Sequence, residues 1–539
     1  MIFRNVKKAS IHPLVNRAVV PIEISKFTEL YERFLKIDFT GKVLGIRPPL
    51  KNAGDVRAAT AKGVPFLPRI YQQNFHAPMD AALPQLLVKL ASDVKQHLKT
   101  PAQALERLEQ FYAPVYQHGP DATKVDAGPQ LKRFLAVVSN LFRSFTDDDK
   151  RASAGIHLVA TTPPLAFFQS DSGQQGPYTI ESDLMHHFFE IEIGIVSLPA
   201  TYRDHPVIWS VLSHEVCGHD VVHADAGLLA EMTEAVQGLL APHFSPHGRL
   251  DNAALNALLW SYWMDEAAAD VYGVLNMGPA FAPSLAAFLA AFRSHIKTDI
   301  KGEPPPAKPV VAVEASPRDN EGGDDTLEDH PVDILRFYLI LGAIETMAKL
   351  DAGKRADYVA AIEDIARLVG GGVNTIHLEG QVRFDSGQPI PVKADMPLAV
   401  AADAARKVGR MIATRRFKAL NDRSIQDVET WDDADEAAAE AISARILQRQ
   451  SIVGHGDDAQ LLAGATLALL QKPERYDEAQ SLLNAALDES FRTDPIWRDL
   501  TASHVFAPHV FRRQESTTQA AAAQTKRPAK STSKKKGKR

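Results

Sequence analysis

The sequence predicts a mainly helical protein with a small β component, an α+β fold. Three observations lead there. Alanine-rich, helix-compatible segments dominate the chain. Strand-like runs of β-branched and aromatic residues are confined to two regions, within 155–198 and 373–394. An apolar content of 45% with 23% charge is ordinary for a globular protein, so 539 residues bury a large core in two or three structural units.

Residues 1–150 read as a helical N-terminal region. Phe27–Leu35, Ala82–Leu98, Leu105–Tyr112 and Leu131–Phe145 are amphipathic, and a proline-rich loop spans residues 41–79. Residues 151–300 change character. Gly155–Thr161 and His187–Leu198 (HFFEIEIGIVSL) read as strands, with His186 and His187 as surface or packing histidines. A helix then opens near Pro206, where proline suits a first turn. It continues into AGLLAEMTEAVQGLL, and a further helix is expected over Asn252–Asn276. Residues 301–329, with three consecutive prolines and an acidic run, read as a flexible loop. Residues 330–511 form a helical C-terminal region, with helices at 333–350, 356–368, 397–414, 433–449, 458–470 and 476–487. A β-hairpin at 373–394 turns around Asp385-Ser386-Gly387. The low-complexity stretch 512–539 reads as a disordered basic tail.

Composition narrows the function classes. The single cysteine, Cys217, leaves no intrachain disulfide framework and no Cys-based zinc site, and it suits a reducing compartment. The first twenty residues lack the continuous apolar core of a signal peptide. No run approaches the roughly 18 apolar residues of a membrane span. A cytoplasmic protein without a membrane partner is expected. Net charge is −6, but residues 526–539 carry eight Lys or Arg and no acid, which leaves the rest of the chain at −14.

The chemistry concentrates in His214-Glu215-Val216-Cys217-Gly218-His219. Two imidazoles and a carboxylate fall within six residues, but the histidines are five apart, not the four of the H-E-x-x-H zinc motif. At about 100° per residue, a step of four displaces side chains by about 40° and a step of five by about 140°. An ideal α-helix would therefore point His214 and His219 apart. A π-bulge brings them back together, and Gly218 tolerates an altered backbone. Downstream, Asp265-Glu266-Ala267-Ala268-Ala269-Asp270 places Glu266 and Asp270 on one stripe of an otherwise apolar helix. Buried carboxylates there need partners, which a metal and a ligand imidazole would supply.

HEVCGH resembles the H-E-x-x-G-H signature of the dipeptidyl-peptidase III family of zinc exopeptidases, and DEAAAD resembles its E-E-x-x-A-E motif. Asp265 and Asp270 depart from that pattern, and the resemblance covers about a dozen residues. It implies a zincin-like (gluzincin-type) catalytic core under a helical cap. His214, His219 and Glu266 would hold Zn2+, Glu215 would activate water, and Asp270 or Asp265 would orient a ligand histidine. Three protein ligands leave the open position that a catalytic zinc needs. In zincins the strand before the metal helix lines the cleft, so a peptide or protein substrate would add to it as an extra strand. For the group that stabilises the oxyanion, His330 leads over Tyr262, Tyr202, His377 and Arg336, because H-P-x-x-x-x-R after a loop resembles a segment of other zincins.

Other readings stay open at this level. Glu215, His219 and His223 are spaced by four and would align on a regular helix as a different metal site. A non-catalytic helical scaffold, whose Lys-rich tail binds nucleic acid or an acidic partner weakly, is a second function class. A zincin whose catalysis has decayed is a third. No P-loop, dinucleotide fingerprint or serine-nucleophile elbow points to another enzyme class.

Overall fold

A computed structural model of the chain describes residues 22–39, 52–120, 128–159, 162–169, 176–242, 251–300, 302, 306, 308–315, 325–384 and 388–498. The expected tail at 512–539 and the hairpin turn at 385–387 lie outside them. Helices predominate, and the strands form two small three-stranded sheets. Buried apolar side chains from Phe27 to Trp497 belong to one hydrophobic core.

Strands β1 (Leu165–Gln169), β2 (Tyr178–Ile180) and β3 (Ile195–Pro199) form the first sheet. The wholly buried β3 is central, parallel to β1 and antiparallel to β2. Side chains close the far edge of β1. The Gln117 amide donates to the Phe168 carbonyl at 2.6 Å and accepts from its N–H at 2.9 Å, while His118 Nε2 lies 2.8 Å from the Ala166 carbonyl. That leaves β2 as the opposite edge. The second sheet holds β4 (Glu314–Ala315), β5 (Thr375–Val382) and β6 (Ile390–Pro397). β5 and β6 form the expected hairpin, with Thr375 opposite Pro397 and Val382 opposite Ile390.

Several elements differ from expectation. Of the strand expected at 155–161, the described residues 155–159 form none; the nearest strand is β1, beyond Pro163 and Pro164. The run beginning at His187 is not one strand. Ser182–Phe189 is a helix that buries Met185 and Phe189, four apart, and it ends where Glu190 turns left-handed at φ 58°. The helical period of those two residues prevails over the apparent alternation. The stretch 41–79 contains a helix at Ala53–Thr60 and a helical run from Arg69 through His76. Pro68 and Pro78 stand at helix starts, where proline is tolerated, and so do not mark loop.

The helix expected over 252–276 breaks at Trp263 into Asn252–Tyr262 and Met264–Met277. Tyr262 and Trp263 turn away to donate to the carbonyls of Leu327 (2.8 Å) and Glu328 (3.1 Å). In the segment expected as a flexible loop, the described residues Val311, Ala315 and Leu327 are buried, and Leu327 N–H donates to the Gln381 carbonyl of β5 at 2.8 Å. Apolar residues on either side of the acidic run are thus held in the core. No helix among the described residues is long and apolar enough to cross a membrane.

Candidate metal centre

The HEVCGH motif lies in a π-helix, Ser213–Asp220, entered through a 3-10 turn at Pro206–Val211 and followed by a short α-turn, Val221–Ala224. The wider π turn gives the five-residue spacing one face, and the rings of His214 and His219 lie 5.0 Å apart between centroids. Gly218 acts through contact rather than backbone freedom, since its φ is not left-handed. A Cβ there would stand 2.2 Å from Ala269 Cα, so glycine and the alanine run let the Met264–Met277 helix press against the motif.

That approach delivers Glu266. Its Oε2 lies 3.1 Å from His214 Nε2, and its Oε1 lies 3.5 Å from His219 Nε2 and 3.3 Å from His330 Nε2. Both motif histidines are backed through their other nitrogen. Asp270 Oδ1 is 3.0 Å from His214 Nδ1, and Asp265 Oδ2 is 3.5 Å from His219 Nδ1. Arg336, from the Asp333–Ile344 helix, grips Asp270 with two hydrogen bonds of 2.8 and 2.7 Å. His214, Glu215, Glu266, Asp270 and Arg336 are all buried. Burying so many ionisable groups is expensive unless each is paired, and such groups concentrate at functional sites.

Electrostatics follow the geometry. Burial opposes charge on His214, but Asp270 and Glu266 outweigh it and hold its pKa above the ordinary histidine value. Glu266 and Asp265 do the same for His219 more strongly. Burial would raise the Glu266 carboxyl, yet His330, His219 and His214 keep it well below the usual range; at Asp270 burial is likewise outweighed, and Arg336 lowers the carboxyl. Imidazoles, guanidinium and carboxylates thus offset one another's charge, and a cation bound here would displace protons from the imidazoles. Glu266 Oε2 is buried without a hydrogen-bond partner, although an imidazole nitrogen faces it. A buried carboxylate facing imidazole nitrogens is a donor set that suits a divalent transition metal, zinc among them.

Donor atoms of His214, Glu266 and His330 all lie within 4.8 Å of one another. His330 therefore stands within ligand reach, and it is the half-exposed member of the cluster, its side chain 45% accessible. Glu215 is oriented by the neighbouring edge strand, with the Thr179 hydroxyl of β2 3.1 Å from its Oε2 and 3.0 Å from its carbonyl oxygen.

The remaining sequence candidates are not brought together here. Tyr202 is fully buried, packed edge-on against Phe39 and Phe288, and burial lifts its phenol well above the ordinary value. The Tyr262 hydroxyl is committed to Leu327. His377 pairs with Asp395 across the exposed hairpin at 2.6 Å. Arg336 is the exception: it joins the cluster, bonded to Asp270 and with Nη2 3.2 Å from His214 Nδ1. The Glu215/His219/His223 alternative does not converge. Glu215 turns to Thr179, while His223 sits between Asp265 (3.3 Å) and Asp183 (3.6 Å).

Sequence reasoning missed Thr179, Glu181 and Asp183. Their partners lie about forty residues away in the chain, and no local spacing signals them. The surrounding carboxylates, working against burial, push His223 up to about 10, while burial raises Asp220 to about 7. Comparison of the chain with protein families, with curated proteins and with solved structures returns no match.

Proposed function

We propose that this chain is a zinc-dependent metallopeptidase of the zincin kind, with motifs akin to those of dipeptidyl-peptidase III. The observation that carries the reading is the arrangement of two imidazoles about one carboxylate. His214 and His219 aim Nε2 at Glu266, and each is backed at Nδ1 by an aspartate. A backed imidazole has its tautomer and ring plane fixed for metal ligation.

His214, His219 and Glu266 hold zinc in this reading, and His330 takes the remaining side. Four protein ligands would close the centre, whereas three leave room for chemistry, and the half-exposed histidine is the one placed to meet substrate. Zinc, when bound, supplies Lewis acidity to a scissile carbonyl and lowers the pKa of water toward about 7. Glu215 takes the water's proton on its carboxylate and passes it to the leaving amine. Thr179 restrains that carboxylate by hydrogen bonding. His330 donates to the carbonyl oxygen as negative charge develops there. The strand just before the metal turn, β3, is central and paired on both sides, so it cannot take the expected role of cleft edge; strand β2, an edge that carries Thr179 beside Glu215, offers main-chain groups to an extended peptide instead. The single cysteine, a buried free thiol, suits a reducing, cytoplasmic location.

The test is Glu215→Gln. The variant is expected to keep its zinc and lose peptide hydrolysis by about 10²–10⁴-fold. Hydrolysis at the wild-type rate in that variant, or a wild type without zinc, would overturn the reading.

A further inference from the structure

Beside the proposed catalytic cluster lies a second convergence of metal-binding side chains. Donor atoms of Glu181, His223 and Asp265 all lie within 4.8 Å of one another, and each residue is partly buried. They come from three elements: Glu181 precedes the Ser182–Phe189 helix, His223 sits on the turn after the motif, and Asp265 opens the Met264–Met277 helix. Both His223 nitrogens face carboxylates, Nε2 toward Asp265 at 3.3 Å and Nδ1 toward Asp183 at 3.6 Å.

The backbone holds this group in place. Asp220, buried at the end of the π-helix, accepts a hydrogen bond from Ser182 N–H at 2.9 Å. That bond fixes the start of the helix and the adjoining Glu181. Gly194 makes room for the anchor, since a Cβ there would stand 2.3 Å from Asp220 Oδ1. Among the described residues, no Lys or Arg forms an ion pair with Glu181 or Asp265. The cationic partners that face these carboxylates are imidazoles, His223 and, on Asp265, also His219.

We propose that Glu181, His223 and Asp265 bind a second divalent transition-metal ion. Imidazole with carboxylates suits zinc and manganese, and the partial exposure of the group leaves positions for water, so this ion is held more weakly than the first. The two centres meet in Asp265, whose Oδ2 faces His219 Nδ1 at 3.5 Å while Oδ1 faces His223. The proposal goes beyond the peptidase reading and does not depend on it.

The test is equilibrium dialysis of the full chain against graded free Zn2+, with metal counted by plasma mass spectrometry. Wild type is expected to hold about one zinc at low free metal and about two at high. His223→Ala and Glu181→Gln, on separate elements, keep the first and lose the second, with unchanged far-ultraviolet circular dichroism. A wild type that saturates at one, or a second equivalent that survives in both folded variants, would overturn the proposal. A missing tight equivalent alongside a weak one that both variants remove would sustain this site and strike the proposed catalytic centre instead.

Discussion

Gly218→Ala is the sharpest perturbation of the centre, because it adds one methyl group and touches no ligand. The new Cβ would lie 2.2 Å from both Cα and Cβ of Ala269 and 3.0 Å from its carbonyl carbon. Backbone cannot rotate aside, so the gap must open from 2.2 Å to at least 3.4 Å, a displacement of about 1.2 Å, and overpacking of this kind costs about 1–3 kcal/mol. The moving helix carries Glu266, three residues before Ala269, and the moving turn carries His219. Zinc affinity is therefore expected to fall about 10–100-fold, the loss typical when the support of a metal site is disturbed. Competition with a chromophoric chelator reads the affinity, and thermal unfolding reads the stability. Gly238→Ala is the control, since nothing lies within 4 Å of a Cβ at that helical position. Wild-type zinc affinity and melting temperature in Gly218→Ala would refute the packing argument.

Further expectations concern the groups around the centre. Asp270→Asn leaves Arg336 buried without its counter-charge and is expected to cost about 3–5 kcal/mol in denaturant unfolding. Adding Arg336→Met should recover stability without restoring zinc affinity; recovery of both would show that Asp270 does not act through His214. Thr179→Val is expected to lower kcat about tenfold with zinc content unchanged, as for loss of a hydrogen bond to a charged group, and an unchanged kcat would remove Thr179 from the account. Burial pushes the His118 imidazole down to about 4, against the effect of its Ala166 hydrogen bond, so the fold holds it neutral while the unfolded chain protonates near 6.5. Its stabilisation is present above 6.5 and is lost as pH falls toward 4, about 3 kcal/mol in all. His118→Gln should flatten that part of the stability–pH curve measured by urea unfolding, and an unaltered slope would count against it.

Much of the helical framework was legible because its apolar periodicity is long and regular, as at Leu131–Phe145 and Asp458–Leu470, which fall within helices Gly128–Thr146 and Asp458–Gln471. The hairpin was legible from its alternation. Arithmetic on the His214–His219 spacing pointed to a π-bulge within an α-helix, whereas the whole of Ser213–Asp220 is π-helical and a 3-10 turn precedes it. What failed was local ambiguity settled by tertiary contacts. Met185 and Phe189 made 182–189 a helix, so of the strand expected over 187–198 only the end, within β3, is strand. Trp263 broke a helix whose pattern runs on unbroken, because its indole and the Tyr262 hydroxyl found carbonyls at 327 and 328. Glycine at 218 was visible, but its reason, the closeness of Ala269, is a long-range contact. Thr179 and Glu181 were illegible because their role exists only once β2 lies against the π turn.

The most direct test of the central claim is an anomalous difference map at the zinc edge from crystals of the full chain grown with stoichiometric zinc. One strong peak is expected, bounded by His214 Nε2, His219 Nε2 and the Glu266 carboxylate, with His330 facing it from the open side. No peak there, or a peak held by His214, Glu266 and His330 with His219 turned away, would contradict it.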